Sequence, residues 1–95
     1  MLVHVVCFKY KAGFDADGRD DHRRRLQALA DIDGIIDLRV GGDVVRSARS
    51  YDAALVIAFR SRAALDAYQT NPRHVPVAQF GVDNCEKIVA VDFES

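Results

Sequence analysis

The stretch Ala53-Ala54-Leu55-Val56-Ile57-Ala58-Phe59 decides the fold. It is an unbroken apolar run between Asp52 and Arg60, with β-branched and aromatic residues, and it predicts a buried strand over 52–60. Strand side chains alternate, so Ala53, Leu55, Ile57 and Phe59 share one face and Ala54, Val56 and Ala58 the other. An antiparallel sheet wetted on one side would alternate apolar with polar. This one does not, so both of its faces need cover.

Working outward, residues 2–10 predict a similar strand. Leu2, His4, Val6, Phe8 and Tyr10 lie on one face, and Val3, Val5, Cys7 and Lys9 on the other. A helix is expected over 17–32, where Leu26, Leu29 and Ile32 recur, His22 precedes Leu26 by one turn, and Asp21 and Arg25 are spaced to pair. Asp33-Gly34 stops it. A second strand follows over 35–45, with Gly41-Gly42 marking a bulge. Ser61 caps a second helix, 62–70, which carries Ala64, Leu65 and Tyr68 and ends before Pro72. Residues 74–84 read as a short helical turn or loop, and 86–93 as a last strand. The order β-α-β-β-α-β is the ferredoxin-like α+β arrangement, with a four-stranded antiparallel sheet in one domain, 1–95. Two helices cover one sheet face. The least costly cover for the other is a second copy of the sheet, which gives a two-fold homodimer.

Composition narrows the partners. A net charge of −1 argues against nucleic acid or an anionic membrane surface. No apolar run approaches the ~20 residues of a membrane span, and the start lacks the pattern of a signal peptide. Cys7 and Cys85 show no paired spacing, which points to reduced thiols and a cytoplasmic protein, with Cys7 a small buried residue. No metal-ligand spacing surrounds the histidines, and neither a metal nor a cofactor is expected.

Chemistry concentrates in Tyr68-Gln69-Thr70-Asn71-Pro72-Arg73-His74 and in His4. Tyr68 either packs helix on sheet or donates its O–H to an oxyanion. His74 either covers a helix end or accepts a proton at neutral pH. His4 either hydrogen-bonds a neighbour in the core or lines a pocket. If the fold gathers them, they form an acid/base site in an apolar pocket walled by Leu26, Leu29, Ala53, Leu55, Ile57 and Phe59.

The segments His4–Lys11, Tyr51–Phe59, Ala67-Tyr68 with Asn71-Pro72-Arg73-His74, and Val89–Glu94 resemble the stress-responsive α/β barrel family, also called the dimeric α+β barrel (Dabb) family. The resemblance spans essentially the whole chain and implies the dimeric barrel. Members range from stress proteins without assigned activity to a plant polyketide cyclase, olivetolic acid cyclase. Carried over from that cyclase, His74 would be the general base, Tyr68 its partner at the oxyanion, and His4 a residue lining the site, in a cofactor-free intramolecular aldol closure. The chain departs from the cyclase at Ala53 and Asn71, where the family places further histidines, and at Leu26, where it holds an aromatic. These departures leave room for a smaller carbonyl compound. Three functions stand open: a homodimer that binds a small molecule without catalysis, a cyclase-like lyase, and a cofactor-free monooxygenase of the same barrel shape.

Overall fold

Ala53–Phe59 forms strand β3 in the computed structural model, which describes residues 1–95. It pairs antiparallel with β1 (Leu2–Tyr10) on one side and β2 (Ile35–Gly42) on the other. Strand β4 (Cys85–Glu94) adds antiparallel to the free edge of β1, giving the order β2-β3-β1-β4. Helices α1 (Ala16–Gln27), α2 (Arg62–Gln69) and α3 (His74–Asn84) complete the ferredoxin-like α+β fold. The register sets His4 opposite Ile57, Val6 opposite Leu55 and Phe8 opposite Ala53, so the expected face is contiguous across the central strands. Leu26, Leu29, Ile32, Leu65 and Tyr68 pack on that face to form the core.

Local chemistry explains the helix ends. Asp15 caps α1 by accepting from the Gly18 N–H at 2.8 Å, and Ser61 caps α2 by accepting from the Ala64 N–H. Asp21 and Arg25 pair at 3.0 Å as spaced. Helix α1 stops at Gln27, short of the expected 32. The N–H groups of Leu29, Ala30 and Ile32 turn back to carbonyls three residues earlier, and these tight turns still bury Leu29 and Ile32. Gly34 then reverses the chain at φ +94, with Ala64 so close that an added Cβ would lie 2.7 Å from it. Gly34→Ala therefore combines a left-handed backbone with a clash and is expected to cost roughly 2 kcal/mol. Urea denaturation checks this, and a loss below about 0.5 kcal/mol would show that the turn relaxes freely.

Three expectations need correction. Gly41 and Gly42 pair in register with Ala54 and Ala53, so β2 has no bulge there. Its irregularity lies at Ile36, between Ile35 and Asp37, and leaves Ile36 56% exposed. Residues 74–84 form a full helix, α3, rather than a short turn or loop. Pro76 is tolerated because it sits in the first turn, whose N–H groups have no partner within the helix. Cys7 is half-buried on the sheet face away from the helices, whereas Cys85 is buried; neither is in a disulfide.

The second sheet face is bare. Val56, Val89, Val91 and Phe93 are exposed, beside half-buried Val3, Val5, Ala54 and Ala58. No helix is long and apolar enough to cross a membrane.

Candidate functional site

A cavity of about 230 Å³ lies between the covered sheet face and the three helices. Its floor is Val6 and Phe8 of β1, Leu55 of β3, and Ile88 and Ala90 of β4. Helices α1 and α3 wall it with Leu26, Val77, Ala78, Gly81 and Val82. The polar groups that reach it come from different elements: His4 from β1, His22 from α1, Tyr68 and Gln69 from α2, and His74 from α3.

His4, Tyr68 and His74 come together at one end. Helix α2 and the start of α3 form a corner at Asn71, whose carbonyl accepts the N–H groups of His74 and Val75 at 2.9 and 3.1 Å. That corner sets the His74 ring against Tyr68, tilted by 38° with centroids 4.1 Å apart. His74 thus opens α3 and faces the cavity instead of covering the end of α2. Phe59 supports Tyr68 from beneath at 5.1 Å, and the His4 ring meets Tyr68 edge-on at 6.4 Å. His4 Nδ1 is paired with Asp92 Oδ1, across the β1–β4 register.

Burial tunes these groups. It pushes the Tyr68 hydroxyl up to about 12, so the phenol keeps its proton. It also holds His74 below the usual imidazole value, with the Gln69 carbonyl pulling the other way and nearby His4 adding to the depression. His74 is therefore a neutral base at pH 7. Tyr68 Oη and His74 Nδ1 are both buried without a hydrogen-bond partner. Such atoms are uncommon in folded proteins, and here two share one wall of a cavity. In the tautomer that carries its proton on Nε2, His74 Nδ1 is a free acceptor, and Tyr68 Oη is a free donor. The pair can take a proton from a bound molecule and donate a hydrogen bond to its oxygen.

Leu26 and Leu55 line the cavity. Leu29, Ile57 and Phe59 lie in the core behind it, and Ala53 is buried beside Phe8 without reaching it. Three polar residues beyond the expected set belong to the site. Gln69, next to Tyr68 on α2, lines the cavity. Asp92 shares the covered face of β4, opposite His4, a placement that only the strand register defines. His22 is 1% exposed and contacts Tyr10 Oη through Nδ1 at 2.6 Å. Its spacing one turn before Leu26 was a visible signal of a core-facing position. No group of three or more His, Cys, Asp or Glu gathers anywhere in a way that could hold a metal ion.

A family model described as the stress responsive A/B barrel domain matches residues 2–95. No functionally curated protein matches the sequence. Among solved structures, a dimeric ferredoxin-like protein of unknown function from Thermobifida fusca superposes with a TM-score of 0.91 at 24% identity, covering 99% of this chain and 90% of that one. A dimeric ferredoxin-like protein of unknown function from Jannaschia sp. CCS1 gives 0.85 at 27% identity, covering 99% and 98%. Hydroxynitrile lyase from Passiflora edulis gives 0.87 at 22% identity, covering 97% and 90%.

Proposed function

The chain belongs to the stress-responsive A/B barrel domain family, and from that premise we propose that it is a homodimer whose cavity binds a small, mostly apolar molecule through an oxygen function. The observation that carries the reading is the pair of buried, unpartnered polar atoms, Tyr68 Oη and His74 Nδ1, on one cavity wall. A ligand oxygen would complete Tyr68, and a ligand C–H or O–H would meet His74. The bare sheet face supports the dimer, as do relatives described as dimeric. The unpaired thiols of Cys7 and Cys85 fit a reducing cytoplasm.

Native mass spectrometry tests the reading. The expected result is a dimer that retains, or saturably takes up, a small carbonyl compound. A monomer, or a dimer that takes up none of a panel of aliphatic and aromatic ketones, would overturn it. Tyr68→Phe sharpens the test. Removing a buried hydroxyl that lacks a partner is expected to stabilise the ligand-free protein by about 1 kcal/mol while weakening ligand binding. A structural hydroxyl would give the opposite sign, a loss of stability on denaturation.

The neutral imidazole beside a protonated phenol supports a catalytic extension of the same reading. His74 Nδ1 would take a proton α to a carbonyl while Tyr68 donates to the enolate oxygen. The enolate carbon would then attack a second carbonyl of the same molecule, as in lyase or cyclase chemistry, and His74 would return its proton to the new alkoxide. Exchange of ketone α-hydrogens in deuterium oxide reads this step without knowledge of the natural substrate. Wild-type protein is expected to accelerate exchange, and His74→Ala to lose at least about 100-fold of that rate with an unchanged circular dichroism spectrum. Absence of acceleration by wild type would reduce the function to binding.

A further inference from the structure

The cavity has a second polar end, set apart from the first by apolar wall. It is His22, held by Tyr10. Nδ1 of His22 lies 2.6 Å from Tyr10 Oη, while Nε2 is buried with no partner. The rings of Phe8 and Phe80, at 4.8 and 6.0 Å, offer that nitrogen no polar neighbour. Gly81 on α3 keeps the approach open, since a Cβ there would lie 3.2 Å from Nε2.

The contact with Tyr10 selects the tautomer. If Tyr10 O–H donates to Nδ1, the ring proton sits on Nε2, and one buried group remains unpaired. If Nδ1–H donates to Tyr10 instead, both the phenol proton and the Nε2 lone pair lack partners. Each unpaired buried group is costly, so the first arrangement wins. Burial together with Arg23 and Arg25 keeps His22 neutral, lowering it to about 4. Burial also keeps the proton on Tyr10, raising it to about 12.

We propose that His22 Nε2–H donates a hydrogen bond to a second acceptor on the bound molecule, so that the cavity selects compounds with two oxygen functions, one at Tyr68 and His74 and one at His22. The proposal rests on the ligand-binding reading and names its substrate class. His4 and Phe8, which mark the two ends, are four residues apart on β1, about 13 Å of strand. Val6, Leu26 and Leu55 lie on the wall between them. The compound is thus an elongated chain with an apolar middle and an acceptor toward each end.

The test uses 2-nonanone and 2,8-nonanedione, a pair of equal chain length with one carbonyl and two. Imidazole ¹⁵N signals of the free protein are expected to show His22 protonated on Nε2; protonation on Nδ1 instead would overturn the proposal. The dione is expected to bind about fivefold tighter than the monoketone, the net worth of one added hydrogen bond. His22→Phe is expected to abolish that preference. Should that variant fail to fold, Gly81→Ala, which sets a methyl before Nε2, is expected to abolish the preference too. Equal affinities in wild type, or a preference that survives these changes, would overturn the proposal alone. If neither ketone binds, the ligand-binding reading fails and the proposal falls with it.

Discussion

Val91→Arg is expected to convert a dimer into a monomer. Val91 is 64% exposed on the bare sheet face, between Val89 and Phe93, which share its side of β4. Each large apolar side chain moved from water into an interface contributes roughly 1.5–3 kcal/mol. In a two-fold dimer every substitution counts twice. The arginine would forfeit that burial and place two like charges in an apolar seam without partners, at a further cost of several kcal/mol. Dissociation should therefore be more than about 100-fold easier, a change of under 3 kcal/mol being enough for that factor. Sedimentation velocity at micromolar concentration reads the outcome directly. The fold should survive, because the covered face with Leu55, Ile57 and Phe59 is untouched. A variant that still sediments as a dimer would move the interface elsewhere.

Acid is expected to destabilise the protein well before its carboxylates titrate. His22 is lowered from 6.5 to about 4, chiefly by burial. The unfolded chain therefore binds a proton in this window that the folded chain refuses. Stability is full above pH 6.5, falls as pH drops toward 4, and levels off below, where both states carry the proton. The shift corresponds to a loss of about 3 kcal/mol from this residue. His74, also lowered by burial, adds to the loss with the same sign. Asp31 and Asp43 are held below the usual carboxylate value by their hydrogen bonds, and Asp52, though burial pushes it up, is brought below that value by the Tyr10 N–H and by Arg46 and Arg19, so all three act at lower pH still. Urea titrations between pH 7.5 and 4 measure the slope. His22→Phe should flatten it, even though the variant loses the Tyr10 contact and starts less stable at pH 7. A variant with the wild-type slope would show that His22 takes up its proton as readily in the folded chain as in the unfolded one.

These two effects arise at opposite faces of one sheet, and the faces differed in how far the sequence exposed them. Residues 53–59 and 2–10 carry a two-residue period that any strand must obey, so the faces of β1 and β3 could be assigned from the chain alone. The same period exposed an apolar surface with no helix to cover it. Tyr68 and His4 were legible as sharing the covered face for the same reason. Leu29, Ile57 and Phe59 were legible as core, but not as standing behind the cavity rather than lining it, because depth from a cavity depends on which side chains lie in front.

Helix α3 was not legible. Pro76 and Gly81 resemble breakers, and exposed Val75 and Val82 blur its apolar stripe. Without α3 the cavity has no outer wall, and His74 has no element to aim it. The His4–Asp92 pair joins residues 88 positions apart and depends on the β1–β4 register. The Tyr10–His22 contact depends on where α1 settles on the sheet. By itself the sequence determined the strands, their order, the covered face and the need to bury the other, because those properties follow from local periodicity. The tertiary structure alone decided the cavity, its two polar ends and the buried atoms left without partners. Those depend on packing between elements distant in the chain, which no local pattern encodes.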